Sequence, residues 1–405
     1  MKNNNRPLKQ QPSLSPTNHV GQTQAGRRVA LGLSGGVDSA VCAALLKGQG
    51  YDVTAVYLEC WRMPGCRTKQ DQADALKIAL QLEIPFTSLN FIQAYQDQVM
   101  SYFVDEYHAG RTPNPDVLCN NVIKFGLFYD WAMKQGYDYV ATGHYAQIEP
   151  GDKTKTIPTR LVTSVDLHKD QTYFLHQIKQ KQLNHVLFPI GHLTKVGVRA
   201  KAHQLKLPVA DKKDSVGICF VGEINVAEFL EEKLGKNPGN VITPNGKVVG
   251  RHQGLWFYTI GQRRGFELDV KAVKHYTDWV GDGGNVPPLF VTNKKGESNE
   301  LVIGPELAAY TSQFTVNKIH WINADSDWTD LPLLIRIRHT GELVSCKLVQ
   351  LASDKLRVTP KKPIKGVAAG QFAVWYVDTN QILTTLKNRL VTNGRYVCLG
   401  GGVIE

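Results

Sequence analysis

Three stretches of this 405-residue chain combine residue types that can do chemistry. The first is Gly32-Leu-Ser-Gly-Gly-Val-Asp-Ser39. Gly35 and Gly36 let main-chain amides approach an anion closely, Ser34 and Ser39 add hydroxyl donors, and a helix starting here turns its positive end to the same point. A phosphate chain fits there, with Asp38 holding or organising Mg²⁺ beside it. The Gly-Lys-Ser/Thr ending of a Walker loop is missing. The second stretch is Gly110-Arg-Thr-Pro-Asn-Pro-Asp-Val-Leu-Cys-Asn120. Pro113 and Pro115 impose a rigid non-helical loop, a costly way to present Asn114, Asp116 and Cys119 unless their positions matter. The third is Lys212-Lys-Asp-Ser-Val-Gly-Ile-Cys-Phe220, where cations before Cys219 would raise its thiolate fraction. A lone cysteine is more often a small buried hydrophobe. Two of them in polar loops beside an anion-binding loop point to sulfur chemistry.

These loops need elements to hold them. An apolar run predicts a strand over 29–33, the glycine loop follows, and Val41, Ala44 and Leu45 share one face of a helix over 40–47. The alternation continues with strands over 53–58 and 86–91, helices near 71–82 and 93–107, and a strand ending at Thr142. Strands alternating with helices predict an α/β fold whose parallel sheet is covered on both faces. Beyond Pro238 short β-type runs broken by Gly and Pro appear at 246–250, 255–260 and 289–292, predicting a small β-rich module. The Gly- and Pro-containing stretch 271–288 reads as a surface excursion or linker. From Phe314 onward, period-two runs at 333–338, 343–348, 355–358 and 371–377 predict a terminal antiparallel β-barrel. The expected division is a basic, disordered tail over 1–26, a domain carrying the anion-binding loop over 27–215, a central β-rich domain over 216–282 and a C-terminal β-barrel over 283–405.

Composition narrows the class of partner. Hydrophobic residues make up 42% and charged residues 20%, which is ordinary for a globular protein. Lysine and arginine exceed aspartate and glutamate by 11, and five of those charges are Lys2, Lys9, Arg6, Arg27 and Arg28. The body is still basic, so a polyanion is the expected partner. No apolar run reaches 18 residues and none near the start suits a signal peptide, so no membrane association and a cytoplasmic location are expected. Seven cysteines in this length form no disulfide framework. Cys42, Cys346 and Cys398 read as structural, and Cys60 and Cys66 lack a zinc spacing.

The glycine loop resembles that of the pyrophosphate-loop ATPases. Taken with Arg111-Thr-Pro-Asn-Pro-Asp-Val-Leu-Cys-Asn120, Ala141-Thr-Gly-His-Tyr145, Lys169-Asp-Gln171, Gly217-Ile-Cys-Phe220, His252-Gln-Gly254, Gly261-Gln-Arg-Arg-Gly265 and Cys398-Leu-Gly-Gly-Gly402, the chain resembles the tRNA-specific 2-thiouridylases from about Val29 to Glu405. The resemblance implies ATP-dependent conversion of the wobble uridine of tRNA, position 34, to 2-thiouridine, with release of AMP and pyrophosphate. It implies Cys119 as nucleophile, Cys219 as the persulfide carrier, a disulfide between the two at the end of the reaction, and Asp116 for general acid/base work. It implies an ATP pocket of Gly32, Leu33, Ser34, Gly35, Gly36, Val37, Asp38, Ser39, Leu58 and Gly143. It assigns Asn114, Pro115 and Asp116 to the target base, and His144, Lys169, Asp170, Gln171, Arg338, His339 and Gln371 to tRNA. The implied partners are tRNAs with Lys, Glu and Gln anticodons and a persulfide donor such as a cysteine desulfurase or sulfur-relay protein.

Three other readings fit parts of the pattern. An iron-sulfur cluster on Cys119, Cys219 and a carboxylate such as Asp116 is a less favoured variant, because no Cys-x-x-Cys supports it. A pyrophosphate-loop ligase acting on a small carboxylate or purine would share the glycine loop without needing two cysteines. An RNA-binding protein with a decayed ATP site is opposed by intact Ser34, Gly35, Gly36, Asp38 and Ser39.

Overall fold

The computed structural model describes residues 25–62, 67–151, 158–214, 225–279, 285–323, 331–378 and 395–405. Cys219, Cys66, part of the stretch 271–288 and most of the N-terminal tail, all singled out above, lie outside them. Among the described residues no helix is long and apolar enough to cross a membrane.

The N-terminal half alternates strands and helices: β1 (Arg28–Gly32), α1 (Val37–Gly48), β2 (Asp52–Glu59), α2 (Thr68–Gln81), β3 (Phe86–Asn90), α3 (Ile92–Tyr95), α4 (Ser101–His108), α5 (Pro115–Cys119), α6 (Tyr129–Lys134) and β4 (Tyr139–Ala141). Then come β5 (Ala146–Glu149), β6 (Arg160–Thr163), α7 (Thr172–Leu175), α8 (Gln180–Leu183), β7 (Val186–Leu187) and α9 (Lys195–Gln204). Five strands form one parallel sheet in the order β3-β2-β1-β4-β7. Its strands are nearly continuous apolar runs because both faces are covered. Val29, Leu31 and Val53 pack with α1, α2 and α9 on one side, while Ala30, Val56 and Val140 pack with α3 to α6 on the other. The order reverses between β1 and β4, so a crevice opens beyond their carboxyl ends, where such sheets take ligands.

The middle of the chain adds α10 (Val226–Leu234), β8 (Gly239–Ile242), β9 (Val248–His252), β10 (Glu267–Leu268), α11 (Val270–Tyr276), β11 (Leu289–Lys295) and β12 (Glu300–Pro305). Its sheet runs β10-β9-β8-β12-β11. Two local expectations fail here. Residues 255–260 are no strand: Leu255–Phe257 is a 3-10 turn that buries Leu255 and Trp256. The stretch from 271 is not only linker, because α11 occupies its start, capped by the Asp269 carboxylate and anchored by buried Val273. The pairing of β11 and β12 into this sheet also carries the central module past 283, up to Pro305.

The last unit contains β13 (Tyr310–Thr311), β14 (Phe314–Trp321), β15 (Leu333–Arg336), β16 (Val344–Ala352), β17 (Lys355–Pro360), β18 (Ile364–Lys365), β19 (Phe372–Asp378) and β20 (Tyr396–Ile404). Six of these run β14-β17-β16-β15-β19-β20, and β20 returns to β14, closing an antiparallel barrel. Closure leaves no open edge among the six, and Val316, Ile335, Trp375 and Leu399 fill the interior. β5 and β6, from the first half of the chain, extend this sheet through pairing of β6 with β20.

Candidate active site

The glycine loop bridges the end of β1 and the start of α1, at the sheet's reversal point. Gly35 has φ +75°, and a Cβ there would collide with the Asp71 carbonyl oxygen, so only glycine lets the loop pass under α2. The Ser39 hydroxyl accepts from the Ser34 amide at 3.2 Å and donates to the Gly36 carbonyl at 3.1 Å, folding the loop into a cup. The N-cap of α1 is Gly36, with no side chain capping it, so the first amides of this twelve-residue helix are available to an anion. Gly143, just past β4, forms the opposite wall. A Cβ on it would lie 2.9 Å from the Ser39 amide nitrogen. Leu58 is buried at the end of β2, and the neighbouring Leu33 amide donates to the Val56 carbonyl. Ser34, Gly35, Gly36, Ser39 and Gly143 are thereby gathered at one end of the sheet, while Leu33 and Val37 pack into its apolar core.

Asp38 points into a network of charges that its own sequence neighbours do not announce. Lys195 donates to both of its oxygens, at 2.8 and 2.9 Å, and the Tyr145 hydroxyl donates to one at 2.7 Å. Burial and the adjacent carboxylate push the Tyr145 phenol far up, so it remains a donor. Lys195 also pairs with Asp214 at 2.8 Å, and Lys169 and Arg199 meet the same carboxylate. Burial works to raise Asp214, yet hydrogen bonds from Lys195 and Lys169 outweigh it and bring the group down to about 2. Sequence reasoning missed Lys195, which stands 157 positions from Asp38 and carries no local signal. Lys212, one of the cations that precede Cys219 in sequence, donates to the Gly35 carbonyl, Asp71 and Asp74.

The Pro-Asn-Pro-Asp loop leads into α5, with Asn114 as its N-cap and Pro115 at its first position. Cys119 is fully buried at the end of α5, and Asp116 is half-buried one turn earlier. The chain then winds as a π-helix over Asn120–Phe128 before α6. The barrel fastens this loop from outside: the Thr112 amide donates to the Ala369 carbonyl, and Gln371 donates to the Pro113 carbonyl at 3.3 Å and accepts from Asn114 at 3.5 Å. Gln371, expected to touch tRNA, thus also hydrogen-bonds to Asn114, 257 positions away.

The residues expected to touch tRNA divide. Arg338 is exposed, and half-buried His339 packs against Phe174 with ring centroids 4.5 Å apart and planes tilted by 35°. Burial, with Arg336 and Lys169 nearby, pushes His339 down to about 4. Lys169 is half-buried, with its ammonium on the Asp214 carboxylate at 3.0 Å. Asp170 is buried, accepting from Arg336 at 3.0 Å, Thr172 at 2.7 Å and the Ser164 amide at 3.1 Å. Gln171 exchanges hydrogen bonds with the Tyr145 backbone. His144 is buried, with Thr142 on Nδ1 at 2.7 Å and Lys124 on Nε2 at 3.3 Å. Asp170, Gln171 and His144 thus have their polar atoms engaged inside the protein. Cys42 and Cys398 are buried, with thiols raised by desolvation, as structural cysteines would be.

Profiles of known families match the same three-part layout: the tRNA methyl transferase HUP domain over residues 27–223, the tRNA methyl transferase PRC-barrel domain over 227–305 and the aminomethyltransferase beta-barrel domain over 311–383. The chain is 38% identical over 385 residues to the tRNA-specific 2-thiouridylase MnmA of Lysinibacillus sphaericus, covering 93% of this chain and 94% of that one. The chain belongs to the tRNA-specific 2-thiouridylase family. The family protein of Oceanobacillus iheyensis is 39% identical and that of Lactiplantibacillus plantarum 40% identical, each alignment covering 93% of this chain and 95% of the relative. Similarity at that coverage takes in the 2-thiouridylase barrel as well as the nucleotide-binding half.

Proposed function

We propose that this chain is a tRNA-uridine 2-sulfurtransferase that uses ATP to exchange the C2 oxygen of wobble uridine 34 for sulfur. The observation that supports the reading is the barrel's hold, through Gln371, on the loop that leads into the Asp116–Cys119 helix, in a chain that also forms an anion cup at its sheet's reversal point. Uridine O2 is a poor leaving group. Attack of O2 on the α-phosphorus of ATP, with loss of pyrophosphate, turns it into the oxygen of AMP. Asp116 takes the proton released from the base. A persulfide on Cys219 presents its terminal sulfur to C2, and the C2–O bond breaks as AMP leaves. Attack of Cys119 on the inner sulfur cleaves the persulfide S–S bond, either after transfer or to release hydrosulfide beforehand, and leaves a Cys119–Cys219 disulfide. A thiol reductant resets the pair, and a persulfide donor, a cysteine desulfurase or a relay protein, reloads Cys219. The base leaves the anticodon stack to reach this depth.

Mg²⁺ accompanying ATP would neutralise charge on the phosphates, and Asp38 suits it as a carboxylate in the first turn of α1. Lys195 then exchanges Asp38 for Asp214, which it already contacts. Among the described residues no group of three His, Cys, Asp or Glu is arranged to hold a metal ion, and the scheme above calls on no cluster. The exposed Arg338 suits RNA phosphate, and the tRNAs with Lys, Glu and Gln anticodons are the proposed substrates.

The deciding experiment is nucleoside mass spectrometry of unmodified tRNA after incubation with the protein, Mg-ATP, a persulfide donor and reductant. An ATP-dependent 2-thiouridine signal is expected, and Cys119→Ser should abolish it while ATP affinity stays within about twofold. No thionucleoside with a working donor, or full activity in Cys119→Ser, would overturn the scheme.

A further inference from the structure

The turn Gly261-Gln-Arg-Arg-Gly265 belongs to the central module, and the chemistry above makes no use of it. Arg263 and Arg264 are exposed, yet the backbone that carries them is tightly fastened. Gln262 spans the turn: its Oε1 accepts from the Thr259 amide at 3.1 Å and its Nε2 donates to the Arg264 carbonyl at 2.7 Å. The Tyr258 hydroxyl donates to the Gly265 carbonyl at 2.7 Å. The Gly261 amide donates to the Val291 carbonyl of β11, and the Val291 amide donates to the Gln262 carbonyl. Gly261 has φ +88°, a conformation that suits glycine. A turn so fastened presents two long cations to solvent from a rigid base.

Its place on the molecule is at a seam. β13 pairs with β18, Tyr310 opposite Lys365, and the Gly366 amide donates to the Ala309 carbonyl, which ties the chain leaving β12 to the barrel. A Cβ on Gly366 would lie 3.3 Å from the Ile260 carbonyl oxygen and 3.7 Å from Nη1 of Arg338, and one on Gly261 would lie 3.4 Å from the Gly366 Cα. The Arg338 guanidinium therefore sits where the turn meets the barrel, and Arg263 and Arg264 follow Gly261 within about 11 Å of chain. Contacts lead from this seam to the cysteine helix. His339, next to Arg338, packs against Phe174, whose carbonyl accepts at 3.4 Å from Asn120, the neighbour of Cys119. Lys362 and Lys365 are paired with Glu342 and Glu306, whereas among the described residues no carboxylate pairs with Arg263, Arg264 or Arg338.

We propose that Arg263 and Arg264 are tRNA-binding residues, which with Arg338 form a guanidinium cluster across the seam of central module and barrel and take phosphates of the strand leading away from the target uridine. The inference rests on the sulfurtransferase reading and gives the central module a part in it. A guanidinium matches phosphate oxygens two at a time, and a rigid turn has little motion left to lose on binding. Phosphate contacts set register without reading sequence, so the cluster would hold any tRNA whose uridine enters the site. Lys347 and Arg357 supply an internal control for charge alone. Both are exposed, on β16 and β17, and the order around the closed barrel puts those strands opposite β20 and β19.

The test is binding of unmodified tRNA to the full chain, read from about 50 to 200 mM salt. Arg263→Gln/Arg264→Gln should weaken binding about tenfold or more at the low end and make the plot of log Kd against log salt shallower by about 1 to 2. In thiolation the same variant should raise KM for tRNA and keep kcat, because the lost contacts hold substrate and transition state alike. Arg263→Lys/Arg264→Lys, which keeps both charges, should keep the slope. Lys347→Gln/Arg357→Gln removes as much charge from the far wall and should bind within about twofold of wild type. Unchanged affinity and slope in Arg263→Gln/Arg264→Gln, an equal loss in the far-wall variant, or a loss in the lysine variant as large as in the glutamine one would overturn the proposal. A wild-type protein that makes no 2-thiouridine would instead overturn the underlying function.

Discussion

At the scale of single residues the site is set by what cannot be added and what cannot be charged. A methyl group on Gly143 would press on the Ser39 amide at 2.9 Å and on the Asp38 carbonyl carbon at 3.2 Å, both backbone atoms at a helix start. Gly143→Ala should therefore cost about 1–3 kcal/mol in urea denaturation and weaken ATP binding at least tenfold. An unchanged midpoint and affinity would mean that β4 and α1 can part without penalty. Charge acts through His176 and His339. Burial brings His176 down to about 3 and, with Arg336 and Lys169 adding to it, His339 to about 4. An unfolded histidine titrates near 6.5, so as pH falls from about 6.5 to about 4 the unfolded chain takes up protons that the folded one refuses, and stability drops. His339→Gln should flatten that slope, and urea midpoints at pH 4, 5, 6 and 7 measure it. Parallel curves for the two proteins would show that His339 titrates as in an unfolded chain.

Among elements, the joint between α7 and β15 is the most consequential. Asp170 just before α7 is fully buried and is paired with Arg336 at the end of β15, itself only 7% exposed. Removing one partner of such a pair strands a charge in the interior. Arg336→Met should destabilise the protein by about 3–5 kcal/mol, while the Asp170→Asn/Arg336→Met double variant should be clearly more stable than the sum of the two single losses predicts. Strict additivity in a double-mutant cycle would count against the bridge. The same joint ties the residue just before α7 to the end of β15 in the barrel.

Across the whole molecule, catalytic domain and barrel are one folding unit in two layers of sequence. A single apolar cluster includes Ala30 and Val140 of the parallel sheet, Cys119 and Ile123 of the cysteine helix, and Phe372, Val374 and Tyr376 of the barrel. β6 hydrogen-bonds to β20, more than 230 residues later, with Leu161 opposite Cys398 and Val162 opposite Val397. A chain ending at Pro305 would bare the β6 edge and leave Asp170 without its arginine. Such a truncation should be poorly soluble or melt well below the full chain, with weakened ATP binding. A cooperative melt and wild-type ATP affinity for the fragment would show that the catalytic half is self-sufficient.

The sequence by itself determined what is local. The strand-glycine-helix text at 29–47, the alternation up to Thr142 and the period-two runs after Phe314 all fold as their spacing requires, because pleat, helical turn and tight loop depend on neighbours within a few residues. The glycine loop was legible for the same reason, whereas the non-helical loop expected around Pro113 and Pro115 ends at Asn114: Pro115 opens a helix that carries Asp116 and Cys119, because proline is well suited to a first helical position. Only the tertiary structure decided which distant groups complete them. Lys195 reaches Asp38, Lys124 is held by His144, and Gln371 pins Asn114, through contacts between residues 20 to 257 positions apart that leave no period in the text. Asp170, read as a tRNA contact, became a buried clamp because its solvation was settled by Arg336 on another domain. The glycines of the Cys398–Gly402 motif find their reason only in three dimensions: β20 uses Gly401 where a Cβ would strike His176 and the Ala373 carbonyl. Burial and pairing across a chain this long are decided by the sum of packing choices, and no local window contains that sum.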